Sequence, residues 1–188
     1  TKTCNQAQVA ILFDWENRWA IDDMQGPRNI GMHYKETVQQ HYKAFWKMGI
    51  PTDFVDMSCD ISKYKVLVAP MMYLLRNGFE QKIKAFVEAG GTLITTYWSG
   101  IVNETDLCYL EGTPHGLMDV VGLRSEEIDG LFDGETNSAS ATTSSWLTQS
   151  ESYTCSELCD IIIPSTAKTL MTYNEDFYAN QPDRKSVV

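Results

Sequence analysis

The sequence predicts an α/β fold: an open, mostly parallel sheet with helices on both faces. Three observations carry this expectation. Short unbroken apolar runs have the pattern of strands buried on both sides. Between them stand segments whose apolar residues recur every three or four positions, the mark of an amphipathic helix. Hydrophobic residues make up 43% of the 188-residue chain, enough for one substantial core.

The elements follow in order. "QVAILF", Gln8–Phe13, is the first expected strand. The acidic and aromatic stretch after it, from Asp14 to Trp19, is expected to be a strand-end loop, continued by a polar loop with Gly26, Pro27, Asn29 and Gly31. In "HYKETVQQHYKAFWKMGI", Tyr34, Val38, His41/Tyr42, Phe45 and Met48 mark one face of a helix that Gly49 stops. "TDFVDM" (Thr52–Met57) is a second strand, "DISKY" a single turn, and Lys65–Ala69 a third strand ended by Pro70. "NGFEQKIKAFVEAGG" is a second helix, with Asn77 expected as N-cap, Glu80 as its reciprocal partner, and Gly90 as the left-handed stop. "TLITTY" is the fourth strand, which makes the expected order β-α-β-β-α-β with right-handed crossovers. Beyond Tyr97 the pattern loosens. "TPHGLMDVVGL" suggests a short helix, Gly134–Trp146 a polar surface loop or hairpin arm, and "ELCDIIIP" and "KTLMTY" two late strands. The length suits one domain over residues 1–188, and the end on Val187–Val188 has the pattern of a strand cut short.

Charge excludes several roles. A net charge of −10 disfavours nucleic acid and anionic membrane surfaces, both of which need a basic face. The longest uncharged apolar run, Val66–Leu75, is far short of the roughly 20 residues that span a bilayer. No apolar signal core opens the sequence, which favours a cytoplasmic setting. The five scattered cysteines, Cys4, Cys59, Cys108, Cys155 and Cys159, fit reduced thiols better than a disulfide framework. Cys155 and Cys159 could share a helix face, but no second ligand pair follows, so no metal site is expected.

In an open α/β sheet, ligands bind beyond the carboxyl ends of the strands. Two segments belong there. One carries Asp14, Trp15, Glu16, Arg18 and Trp19, the other Tyr97, Trp98, Ser99, Asn103 and Glu104. On an extended strand Asp14 and Glu16 would lie about 6.6 Å apart at Cα, while a retaining glycosidase pair needs carboxyl groups about 5–5.5 Å apart. Direction opposes that use: neighbours on one strand approach from one side, and the two carboxylates must flank the scissile bond. No G-x-S-x-G and no cysteine at a strand-to-helix elbow offers a nucleophile. "EAGGT" closes a helix instead of opening one, so it cradles no dinucleotide, and the acids of "DWENRW" would repel a flavin phosphate. No cofactor is expected.

"FDWENRWA", "VLVAPMMYLL", "FVEAGGTLITTYWSGIVNETDL" and "SELCDIII…TLMTYNEDFYA" resemble, in this order, the middle domain of glycoside hydrolase family 42 β-galactosidases, the trimerisation domain. The resemblance covers roughly Val9 to Asp183. It implies a Rossmann-like, flavodoxin-like domain similar to class I glutamine amidotransferases but without their catalytic cysteine. It implies a bacterial parent that releases galactose from terminal β-D-galactosides with retention, and catalytic glutamates on a barrel that this chain lacks. This piece would then catalyse nothing. Its partners would be itself, as a homotrimer, and the barrels of its own and neighbouring chains. Asp14, Trp15, Glu16, Arg18, Trp19, Tyr97, Trp98, Asn103 and Glu104 become candidates for the trimer contact or the rim of a neighbour's sugar pocket. Two departures stand out: Glu111–Leu117 is poorer in Gly, Pro and aromatics than the family's stretch, and the family's strand after Asp183 is missing. The competing readings are a stand-alone α/β hydrolase or amidotransferase relative, and a carbohydrate-binding module using exposed aromatics.

Overall fold

The computed structural model describes residues 6–25, 32–142, 152–175 and 185–187. It forms two compact units, Thr1–Glu111 and Gly112–Val188. The first unit is the expected open parallel sheet. Its strands are β1 (Val9–Leu12), β2 (Thr52–Val55), β3 (Val66–Ala69) and β4 (Thr92–Thr95), in the order β2-β1-β3-β4, every pair parallel. All four residues of β1 are buried, as its unbroken apolar run requires of a central strand.

Three helices accompany this sheet: α1 (Trp15–Asp23), α2 (Tyr34–Lys47) and α3 (Phe79–Glu88). The β1-α2-β2 and β3-α3-β4 crossovers run in opposite directions across the sheet, so right-handed connections set α2 and α3 on opposite faces. Gly49 takes φ 69° just beyond α2, and Gly90 takes φ 92° beyond α3, the left-handed stops the sequence anticipates. Asn77, in contrast, is not the cap of α3. Gly78 occupies that position at φ 84°, which leaves Asn77 outside the helix.

α1 is the element the sequence reading misses. Asp14–Trp19 is not a strand-end loop: Asp14 is the N-cap of a helix that begins at Trp15. The element order is therefore β-α-α-β-β-α-β.

The second unit is mostly antiparallel. A short helix, α4 (Met118–Val121), precedes β5 (Leu123–Gly130), β6 (Asn137–Ala141), β7 (Ser152–Cys155), β8 (Leu158–Pro164), β9 (Thr169–Tyr173) and β10 (Lys185–Val187). β5 pairs with β8, and the other four form a sheet in the order β10-β9-β6-β7. The two late strands expected from "ELCDIIIP" and "KTLMTY" are β8 and β9. The Gly134–Trp146 stretch supplies β6, antiparallel to β7 as the expected hairpin arm would be, and paired on its other side to β9, so its middle is an interior strand rather than a surface loop; residues 143–146 lie outside the described residues. A strand does follow Asp183, since β10 runs antiparallel to β9. Cys155 and Cys159 share no helix: they sit on β7 and β8, separated by Glu157 at φ 76°.

Gly122 ties α4 to the β8–β9 turn. It holds φ 68°, and its carbonyl accepts the N–H groups of Ser165, Thr166 and Ala167. A Cβ there would meet the Thr166 hydroxyl and lie 2.8 Å from the Ala167 nitrogen. Gly122→Ala is expected to destabilise the chain by more than about 1 kcal/mol, measured by urea unfolding; an unchanged midpoint would contradict this.

Candidate functional site

β1 and β3 are neighbours whose following connections depart to opposite sides, so the space beyond their carboxyl ends is the switch point where such folds bind ligands. In this chain a polar network of its own fills that place. The Asp14 carboxylate is fully buried. Its Oδ1 accepts the Glu16 and Asn17 backbone N–H groups at 3.0 and 3.2 Å, capping α1. Arg76 Nη2 donates to the same oxygen at 3.1 Å, and the Met57 N–H donates to Oδ2 at 3.2 Å. The Asp14 N–H in turn donates to the Tyr34 hydroxyl at 3.2 Å.

Asn17, also fully buried, bridges the rest of the crevice. Its Nδ2 donates to the Met71 carbonyl at 3.0 Å, and its Oδ1 accepts the Leu74 N–H at 2.8 Å. Met71 is itself buried and holds φ 45°, a strained turn directly after β3. A sharp strand-end turn of this kind is where a nucleophile stands in elbow-type hydrolases. Here the side chain is a thioether, which cannot attack.

The expected site residues of the first segment separate into three groups. Asp14 is structural. Both of its oxygens accept hydrogen bonds from within the chain. Glu16 is half-exposed and pairs with Arg76 at 2.9 Å. Trp15, Arg18 and Trp19 form an outward-facing edge of α1: the two indoles lie 6.3 Å apart, and the Arg18 guanidinium sits 5.3 Å over the Trp15 ring. Phe13 supports this edge from below, meeting Trp15 edge-on and stacking on Tyr34.

The second strand-end segment is not exposed in the same way. Trp98 is buried, at φ 60°, and stacks on Tyr73 with centroids 5.8 Å apart. Its indole N–H has no acceptor among the described residues. Tyr97 is half-buried, and the Asn103 side chain is turned inward on its own loop, accepting the Thr105 and Leu107 N–H groups. Glu104 is exposed. Burial, aided by the charges of Asp106 and Cys108, pushes the Tyr73 phenol up to about 12.

Sequence reasoning missed Asn17, Arg76, Met57 and Met71. The available signal was Asp14 followed by Glu16 in a first turn, with Ala20 and Ile21 placed to bury one helix face. Among the described residues no three His, Cys, Asp or Glu side chains gather to hold a metal. A cavity of about 370 Å³ opens elsewhere, between α3 and the β2–β3 connection. The Lys82 ammonium on its wall is already used by the Met57 and Ser58 carbonyls.

Comparison with known proteins gives a consistent result. The family model described as the β-galactosidase trimerisation domain matches residues 7–183. The chain is 50% identical over 180 residues to β-galactosidase Pbg of Clostridium perfringens, covering 96% of this chain and 26% of that protein. It is 46% identical to BglY of Alicyclobacillus acidocaldarius, covering 94% and 26%. Among solved structures, the cold-adapted β-galactosidase of Rahnella superposes with a TM-score of 0.90 at 50% identity, over 94% of this chain and 26% of that one. Gan42B, a GH42 β-galactosidase of G. stearothermophilus, does so with a TM-score of 0.86 at 39% identity, over 95% and 25%. The chain thus spans about a quarter of the length of the relatives it matches.

Two outcomes test the site. Asp14→Ala removes a cap and strands a partly buried arginine, and should lower unfolding free energy by about 3 kcal/mol, whereas Glu16→Gln, at a half-exposed pair, should lower it by less than about 1 kcal/mol. Equal effects in urea would contradict the division of roles. Tyr73 has a raised folded pKa, so its contribution is complete below the unfolded value near 10 and lost as pH rises towards 12. Tyrosinate absorbance in the folded chain should therefore lag that of Tyr73→Phe plus free tyrosine above pH ~10; coincident curves would contradict it.

Proposed function

Because this chain belongs to the β-galactosidase trimerisation domain family, we propose that it is the assembly module of a β-galactosidase, associating with copies of itself in threes. Residues 1–188 act in this as one functional domain. The parent enzyme hydrolyses terminal β-D-galactosides with retention, using carboxylates on a barrel outside this chain, and works in the cytoplasm. No helix among the described residues is long and apolar enough to cross a membrane. Neither nucleic acid nor a lipid surface is a partner, and its net charge of −10 supports this.

One observation carries the non-catalytic part of this reading: the crevice that would bind a substrate is occupied by the hydrogen-bonded Asp14–Arg76–Asn17 network. The strand ends instead offer features that suit a neighbouring surface. Trp15 and Trp19 are exposed. Exposed aromatics of this kind are enriched at interfaces. Trp15, Glu16, Arg18 and Trp19 form the contact or the rim of a neighbour's sugar pocket, held in place by Asp14, with Tyr97, Trp98, Asn103 and Glu104 beside them.

Light scattering of the chain, with a nitrophenyl-galactoside assay on the same sample, tests the proposal. The expected result is a mass three times the 21.3 kDa of the chain and no hydrolysis. A monomer would remove the assembly role, and hydrolysis would return Asp14 and Glu16 to a catalytic one.

A further inference from the structure

The carboxyl-terminal half of α2 is left uncovered. The inward stripe of this helix begins well buried, at Tyr34 and Val38, continues half-buried at Tyr42 and Phe45, and then runs out into solvent. Every residue from Trp46 to Pro51 is exposed. Trp46 is 64% and Met48 63% exposed, and Phe54, on the adjoining edge strand β2, is 51% exposed while touching Tyr42 at 5.3 Å. Large apolar side chains gathered in this way on one surface mark a contact site. Among the described residues β2 pairs only with β1, which makes it an edge strand of its sheet.

We propose that copies of this chain join head to tail, the Trp15–Trp19 edge of α1 on one copy packing against the Trp46–Phe54 face of α2 and β2 on the next. The inference rests on the assembly reading above and names its two surfaces. Charge selects the pairing. α2 carries Lys35, Lys43 and Lys47 against Glu36, with Lys43 and Lys47 exposed around Trp46. α1 carries Glu16, Asp22 and Asp23 against Arg18; Glu16 is paired with Arg76 and Asp22 with Arg18 at 3.5 Å, and Asp23 stands exposed beyond Trp19, so the edge keeps an acidic excess. Joining either face to its own copy would set lysine against lysine or aspartate against aspartate. Joining one to the other sets opposite signs around an aromatic centre.

Topology agrees. α1 follows the carboxyl end of β1, whereas Trp46–Pro51 leads into the amino end of β2. The two faces therefore lie at opposite ends of one parallel sheet, and a copy cannot cover its own. Two different patches per copy are what a closed ring of three requires, because a heterologous contact repeats until it closes.

Mixing two variants tests this. Trp19→Asp and Trp46→Asp each alter a side chain that is more than half exposed, so both should keep the far-UV circular dichroism of the unaltered chain, while their melting temperatures lose the concentration dependence that association confers. The unaltered chain is expected at three times 21.3 kDa and each variant alone at 21.3 kDa. An equimolar mixture should give a dimer, because the one intact α1 edge and the one intact α2 face form a single junction that cannot be extended. A mixture that stays monomeric, or a variant that still forms trimers, would overturn the proposed surfaces and leave the assembly reading standing. In the latter case the α2 face is covered by something other than a second copy. A monomeric unaltered chain would overturn both.

Discussion

The buried carboxylate of Asp14 is the constraint on which the carboxyl end of the parallel sheet depends. A charge removed from water needs partners on every lone pair. The chain supplies them from three directions: the first turn of α1, the Met57 N–H after β2, and the Arg76 guanidinium after β3. The same contacts that satisfy the charge fix where α1 starts. With Asn17 locked to Met71 and Leu74, α1 has one way to sit, and its aromatic edge is presented outward. Fold and surface are thus consequences of one desolvated group.

This arrangement also shows what stands at the switch point of a ligand-binding architecture in this chain. Open α/β sheets bind molecules at the switch point because strand ends leave polar groups unsatisfied there. Here those groups satisfy one another. Met71 keeps the strained turn of an elbow without a side chain that reacts. Fold does not imply function, and the side chains at the crevice decide.

Much of the first unit was legible in the sequence because its strands are buried on both faces and its helices α2 and α3 keep a clear apolar stripe. α1 was not legible. Two exposed tryptophans, Trp15 and Trp19, stand where an amphipathic pattern needs polar residues, and only Asn17, Ala20 and Ile21 are buried. The cap at Asn77 was misplaced by one residue because Gly78 could take a left-handed conformation that the spacing did not reveal. In the second unit, β8 was evident from "DIII", but β5 and β6 are written in Ser, Glu, Asn and Ala and show little of a strand's usual composition. Resemblance to a family supplied the functional frame, whereas the site residues needed coordinates: nothing in the spacing of Asp14, Met57 and Arg76 announces that they meet.

Amide hydrogen exchange of the chain, with and without galactose, addresses the central claim most directly. If the crevice is filled by its own network, the N–H groups of Glu16, Asn17, Met57 and Leu74 exchange slowly and galactose leaves their rates unchanged. Fast exchange at these four amides, or protection that appears only with galactose, would mean that the crevice is open and that a sugar, rather than the chain itself, completes it.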